Sequence, residues 1–375
     1  MEIIIGGDVV PTINNQQEFI NGDIDSLLCQ DLQKVWYTSD YRIFNLETPL
    51  LNQKCPIKKK GPNLIAPEET INGIKQLNPS LIMLANNHIF DQGKAGLNKT
   101  IQLLKENNIP YVGVGNSISE VSKSFIIKDN EVSIAFYNCA EHEYSIATEK
   151  SPGANPFDPL NSLDHISKLK QENDFLVVIY HGGKENYRYP TPYLRKVCRK
   201  IAEKGADAII CQHSHCIGAF EEYDESTIVY GQGNFLFNKY DNEYWNNGML
   251  LKLKFNNKVS IDYIPYIKTK TGIKKTQEQE KQDIIRSFCK RSEDIKNDDF
   301  VEKEFEQLAN DKIDNYLRSI GYGKWMARID NRIFKGKLLK RKFSEEKMLT
   351  LENYIECEVH HELIVKGLKL RNRRH

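Results

Sequence analysis

The stretch SLIMLANNHIFDQGKAGLNKTIQLLKENNIPYVGVG, residues 80–115, decides the fold. Its opening apolar run, Leu81–Leu84, has the length of a buried strand, and the segment around Lys94–Asn107 repeats apolar residues at helical spacing. Tyr111–Val114 is then a second strand. Strand, helix and strand in such short compass form a βαβ unit, which implies parallel strands joined by a right-handed crossover. Working outward, Glu2–Gly7 and Tyr41–Leu46 read as strands upstream. Downstream, the strand Phe175–Tyr180, the helix Thr191–Glu203 and the strand Asp207–Cys211 make a second unit of the same kind. Ser124–Asn138 differs, alternating apolar and polar residues around Asp129 and Asn130, as a hairpin does. A second hairpin is predicted where Leu250–Phe255 turns at Asn256 and Asn257 into Val259–Tyr263. Parallel units combined with antiparallel hairpins predict a layered α/β sandwich with mixed sheets.

From about Lys268 the pattern changes. Charged residues dominate, and apolar ones recur at helical spacing through Ile285, Phe288, Leu308, Ile313 and Leu317. The expected division is therefore an α/β domain over 1–270 and a helical region over 271–375. Within that region Arg328–Lys342 holds seven basic residues (Arg328, Arg332, Lys335, Lys337, Lys340, Arg341 and Lys342) against one acid, Asp330. It reads either as a solvated helix face or as a docking site for an acidic partner, an anionic polymer or a membrane surface.

Composition bounds the function. The 375 residues carry 52 Lys and Arg against 51 Asp and Glu, a formal charge of +1, which argues against wholesale nucleic-acid binding. With 40% hydrophobic residues the chain buries a core, so global disorder is excluded. No apolar run approaches the roughly 18 residues of a membrane-spanning helix. The N-terminal stretch has no basic leader or cleavage site. Eight cysteines occur without one Cys-x-x-Cys pair, which suits a reducing compartment. A soluble cytoplasmic protein is the expectation. Cys211 and Cys216 flank a His-x-His, and they read as small apolar residues at a strand end rather than as zinc thiolates.

Metal-type ligands gather where predicted strands end. They lie in Gly6-Gly7-Asp8, in Asn45-Leu46-Glu47, in Asn86-Asn87-His88 with Asp91 and Gly93, and at His181 with His213-Ser214-His215. In open α/β sheets ligands collect beyond the carboxyl ends of the strands. Carboxylate, amide and imidazole donors suit Mn²⁺, Fe or Zn²⁺. One bridging carboxylate can hold two cations about 4 Å apart, an arrangement that clamps a hydrolytic transition state. Singly, each segment has a plain structural reading: a turn, or a hydrogen-bonded histidine. His213 and His215 on extended chain would point two imidazoles the same way. Four such segments together favour a metal centre.

Asn45-Leu46-Glu47, Ala85-Asn86-Asn87-His88, His181-Gly182-Gly183-Lys184-Glu185, Gly205-Ala206-Asp207 and Tyr230-Gly231-Gln232-Gly233-Asn234-Phe235 resemble the CapA family of capsule-synthesis, or poly-γ-glutamate synthesis, proteins. The resemblance runs from Ile3 to about Pro265. It implies a calcineurin-like, four-layer α/β/β/α metallophosphoesterase-like sandwich, followed here by the C-terminal helical region. It also implies a metal-dependent hydrolase or transferase in capsule or poly-γ-glutamate metabolism, with an anionic polymer or a phosphorylated small molecule as substrate. Non-catalytic assembly and cytosolic phosphoesterase work are the alternatives. Carried over residue by residue, Asp8 and His215 would bind a first divalent metal and Asn87, His181 and His213 a second, with Glu47 bridging. His88 would be the general acid. Val10 stands where ordinary metallophosphoesterases have a further histidine, which predicts an asymmetric centre. Asp91 could orient His88 or cap the helix beginning near Gln92. Glu185 could orient an imidazole or a water, Lys184 and Arg188 could meet an anionic substrate, and Asn155 could reach the cleft or merely form a turn.

Overall fold

The computed structural model describes residues 1–129, 132–239 and 241–372. Its strands are β1 (Glu2–Val10), β2 (Tyr41–Leu46), β3 (Leu81–Met83), β4 (Tyr111–Val112), β5 (Val114–Gly115), β6 (Phe125–Asp129), β7 (Val132–Ala140) and β8 (Gly153–Ala154). There follow β9 (Phe175–His181), β10 (Ala208–Gln212), β11 (Phe220–Tyr223), β12 (Ser226–Val229), β13 (Leu236–Phe237), β14 (Asn247–Phe255), β15 (Val259–Lys268) and β16 (Ile273–Lys275). One sheet runs β16-β15-β14-β1-β2-β3-β4, with β13 also paired to β1, and a second runs β11-β12-β10-β9-β7-β6. Both are mixed. β1 to β4 are mutually parallel while β14 is antiparallel to β1, and β7, β9, β10 and β12 are parallel between antiparallel edges.

Side-chain parity explains the layers. Successive residues of a strand face opposite ways, so Ile3 and Ile5 of β1 enter the core between the sheets, with Ile43, Met83, Phe136, Val177, Ile179 and Ile210. Ile4, between them, faces outward and packs with Phe44 and Ile82 under the helices that carry Phe19, Trp36, Ile74 and Leu97. The second sheet does the same on its far side, where Val178, Tyr180 and Ile209 meet Ile166, Leu194 and Ile201. The result is helix, sheet, sheet, helix, the four-layer sandwich expected. Each fully buried Ile or Val contributes about 1.5–3 kcal/mol.

The βαβ unit of residues 80–115 forms as expected. The helix Gly93–Glu106 connects β3 to β4, which lie side by side in parallel register, Ile82 opposite Tyr111. β6 and β7 pair antiparallel from Asp129 opposite Val132; the expected turn residue Asn130 lies outside the described residues. At the second hairpin Phe255 pairs with Val259, so three residues make the connection rather than two. β1 runs on to Val10 instead of stopping at Gly7, because β2 pairs with it again at Asp8 and Val9 and β13 adds pairs at Val9 and Val10.

Two compact units result, Met1–Glu302 and one beginning at Lys303. The boundary expected near residue 270 lies short of this one. β16 pairs with β15, and the helix Glu278–Asp294 buries Phe288 in the core between the sheets. The second unit is helical, with helices Lys324–Ile329, Lys337–Lys342, Glu345–Glu356 and Glu358–Asn372. Among the described residues no helix is long and apolar enough to cross a membrane.

Candidate metal centre

Five strands deliver the site. β1 carries Asp8, β2 leads into Glu47, and β3 leads into Asn86-Asn87-His88; β9 ends on His181, and β10 leads into His213-Ser214-His215. The carboxyl ends of parallel strands from both sheets thus meet at one place. Asp8, Glu47, Asn87, His181, His213 and His215 are all buried.

They form two donor groups that share one carboxylate: Glu47, His181 and His213, and Asp8, Glu47 and His215, each with its donor atoms within 4.8 Å of one another. His181 Nε2 lies 3.6 Å from Glu47 Oε1 and 3.1 Å from Asn87 Oδ1, which places the amide in the first group. His215 Nδ1 is 3.7 Å from Asp8 Oδ2. Among the described residues neither Glu47 oxygen accepts a hydrogen bond, and His213 Nδ1 is likewise buried without a partner. A carboxylate withdrawn from water with no donor is costly, by several kcal/mol. Cations between the two groups would answer Glu47 and His213 together, so the residues present fit a divalent metal.

Side-chain amides brace the donors. Asn86 Nδ2 donates to Asn45 Oδ1 (3.0 Å) and to the Leu46 carbonyl (2.9 Å), and Asn45 Nδ2 donates to Asp8 Oδ1 (2.7 Å). Asn86 Oδ1 accepts from the backbone N–H groups of His88 and Ile89, a turn that presents Asn87 and His88 to the cleft. Asn234 Oδ1 lies 2.8 Å from His215 Nδ1. The two histidines after β10 do not ride on the extended chain expected of them. His213 has φ 92° and His215 φ 59°, so both sit in left-handed backbone that costs non-glycine residues about 1–3 kcal/mol. A turn, not strand alternation, brings their rings to 5.9 Å.

Charge follows the geometry. Burial pushes the Asp8 carboxyl up, but the His215 and His181 imidazoles and the Asn45 amide outweigh it and hold it below its usual range. Burial drives His213 well below its usual value, reinforced by the neighbouring imidazoles. For His181 and His215 burial is overcome by Glu47 and Asp8, and both rise.

His88 Nδ1 lies 2.6 Å from Asp91 Oδ2, while its Nε2 faces Glu47 at 4.0 Å. Asp91 is wholly buried, pairs also with Lys59 and accepts the Leu64 N–H (2.6 Å). It does not cap the following helix; that position belongs to Gln92, whose side chain makes no cap. Lys59, its side chain only 3% exposed, reaches His88 Nδ1 at 3.3 Å as well.

Other candidates lie elsewhere. Glu185 is exposed on the loop after β9, and its charge acts on the His215 imidazole without a hydrogen bond to it among the described residues. Glu141, at the end of β7, stands near the imidazoles instead: its Oε1 is 3.7 Å from His213 Nε2 and its Oε2 accepts the Gly183 N–H (3.0 Å). Lys184 is half-buried on the same loop. Arg188 spends its guanidinium on the carbonyls of Ile217 and Glu243 and on the Tyr244 ring. Asn155 is buried and donates to the Asn138 carbonyl, away from the donor groups. Cys211 packs against Cys198 in the outer core, and Cys216 donates to the Tyr187 carbonyl, so neither thiol joins the site.

Val10 is buried against Phe237 and Trp245. The Trp245 ring lies over His215 with centroids 4.6 Å apart, and its Nε1 donates to Asn186 Oδ1 (2.9 Å). An aromatic wall therefore closes the Asp8–His215 side, where the sequence left a missing imidazole. Lys59, Glu141 and Trp245 escaped the sequence reading. Lys59 lies in a run of three lysines that looks like solvated charge, and the other two stand far along the chain from the segments they join.

The sequence model for the bacterial capsule synthesis protein PGA_cap matches residues 2–239. Capsule biosynthesis protein CapA of Bacillus anthracis is 34% identical over 210 residues, 54% of this chain and 51% of that protein. PGA biosynthesis protein CapA of Bacillus subtilis is 31% identical over 215 residues, 56% of each chain. The matched region thus spans about half the length of these curated relatives. A solved phosphatase structure from Mycoplasma pneumoniae overlays with a TM-score of 0.46 at 15% identity, covering 71% of this chain and 93% of that one.

Proposed function

Since the chain belongs to the PGA_cap family of bacterial capsule synthesis proteins, we propose that it is a metal-dependent hydrolase or transferase acting on a phosphoester or amide of an anionic polymer, poly-γ-glutamate being the type. The observation that carries this reading is Glu47: a buried carboxylate that accepts no hydrogen bond among the described residues, faces two imidazoles, and is shared by two groups of metal donors. Glu47, Asn87, His181 and His213 would hold one ion, and Asp8, Glu47 and His215 the other, with Mn, Fe and Zn the fitting metals. A bound divalent ion supplies Lewis acidity toward the scissile group. His88 has the placement of a general acid. With Nδ1–H held by Asp91, its Nε2 is left to give a proton to the departing oxygen or nitrogen. Lys59 pairs with Asp91 and fixes it beside His88. Lys184, at the cleft edge, provides a cation for an anionic substrate.

A second reading, a non-catalytic assembly member, draws support from Val10 and the aromatic wall, which leave the Asp8–His215 group with three protein ligands. Metal analysis of the purified protein, followed by assays on a generic phosphodiester and on a γ-glutamyl amide, separates the two. Bound metal with turnover of either compound supports the enzyme, bound metal without turnover supports the assembly member, and less than about half an equivalent of Mn, Fe and Zn after reconstitution sinks the metal-dependent enzyme.

A further inference from the structure

The basic stretch Arg328–Lys342 lies in the second compact unit, whereas every residue named for the metal site belongs to the first. Its one acid, Asp330, is completely buried. There it accepts the backbone N–H groups of Leu338 (3.0 Å) and Leu339 (3.3 Å), fastening a π-turn at Asp330–Phe334 to the helix Lys337–Lys342 through left-handed backbone at Lys335 and Gly336. All seven Lys and Arg residues of the stretch are exposed. The stretch therefore shows solvent seven positive charges and, within itself, no negative one. It is not purely polar, however. Trp325 is 77% exposed, Ile333 68% and Phe334 42%, set among those cations.

A solvated helix face has no use for exposed Trp, Ile and Phe. A soluble anionic polymer would answer the charge but offers no apolar phase for the rings. An anionic bilayer answers both, with phosphate headgroups for the cations and the acyl boundary for the apolar side chains. Tryptophan in particular favours the membrane–water interface. We propose that Trp325 and the stretch Arg328–Lys342 form a peripheral docking surface for an anionic lipid bilayer.

Trp36 and Trp245 are buried, so quenching by brominated lipid reports Trp325. The test mixes the full chain with vesicles of brominated phosphatidylcholine, with and without phosphatidylglycerol. Partition and quenching should require phosphatidylglycerol and weaken as salt rises. Each cation near an anionic surface is worth about fivefold in partition, so Lys337→Ala, Lys340→Ala and Arg341→Ala together should weaken it about a hundredfold. Trp325→Ala, an exposed change that leaves the fold alone, should lose quenching and bind less tightly. The proposal is overturned if vesicles with and without phosphatidylglycerol bind alike, if the triple variant binds as the parent does, or if Trp325 stays unquenched on bound vesicles. Capture of soluble poly-γ-glutamate with no partition onto phosphatidylglycerol vesicles would overturn it in favour of a polymer site.

Discussion

Glu47 and His88 divide the work of the site between holding and acting, and single substitutions should separate the two. His88 touches Asp91 and Lys59 and stands 4.0 Å from Glu47, so it is placed to move a proton without being needed to retain an ion. His88→Ala should lower turnover about 10²–10⁴-fold, with metal content little changed and partial rescue by a substrate with a good leaving group. Equal loss of metal and turnover would make His88 a ligand. Lys59→Met should also reduce turnover, but through Asp91. Removing the ammonium leaves a buried carboxylate short of one partner and His88 less firmly held, so turnover should fall while bound metal stays. Val10 poses a different question. Its side chain abuts Phe237 and Trp245, and a larger residue there meets packed rings. Val10→His should therefore cost about 1–3 kcal/mol from overpacking. Calorimetric titration should show no tighter second metal step unless Trp245 is shortened as well.

β1 is the element on which the site hangs. It pairs with β2, β14 and β13, and it breaks register between Ile5 and Asp8. At that break Gly7 passes so close to the loop after β12 that an added Cβ would meet the Gly233 carbonyl oxygen at 2.1 Å. The approach matters because the same loop supplies Asn234 to His215. Gly7→Ala should lower the melting temperature and also release metal, an outcome checked by metal analysis of the folded fraction. Retention of both stability and metal would mean that strand and loop part freely. Sequence showed this element well, since three isoleucines in a row leave little besides a buried strand. It gave no sign that β13 would lengthen it past Asp8, because two-residue pairings carry no pattern of their own.

Two effects should be felt by the molecule as a whole. Because the donors are fixed by five strands, metal binding to the folded state is also folding stability. At a hundred times the dissociation constant a bound ion adds about 2.7 kcal/mol. Chelation should accordingly lower the melting transition by several degrees, and Mn²⁺ or Zn²⁺ should restore it; an unchanged transition would show that the donors hold nothing. The second effect is a pH slope. Burial brings the Lys268 ammonium down to about 7, where it sits against the Trp245 ring and donates to the Phe237 carbonyl. In the unfolded chain its value is about 10.4. Between the two, the unfolded state holds a proton that the folded state lacks, so this group's contribution to stability rises as pH rises from about 7 to about 10.4. Lys268→Met should flatten that slope in denaturant titrations across the window.

How much of this was legible beforehand differs by the range of the forces involved. Periodicity in the chain decided the strands, the βαβ units and the layered class, because alternation of apolar residues is a local consequence of which face is buried. The short motifs at strand ends gathered the candidate donors, since a strand end leaves a side chain free to converge on a crevice, and the resemblance to the CapA family singled out Asp8, Glu47, Asn87, His181, His213 and His215 among them. Only the tertiary structure decided what surrounds them. It turned Asp91 toward His88 and Lys59, set Glu141 where Glu185 was expected, and laid Trp245 over His215 beside Val10. Those neighbours come from loops distant in the chain, brought together by the packing of two sheets. No local pattern records such a contact, because the energy that selects it comes from burial and charge in the assembled core.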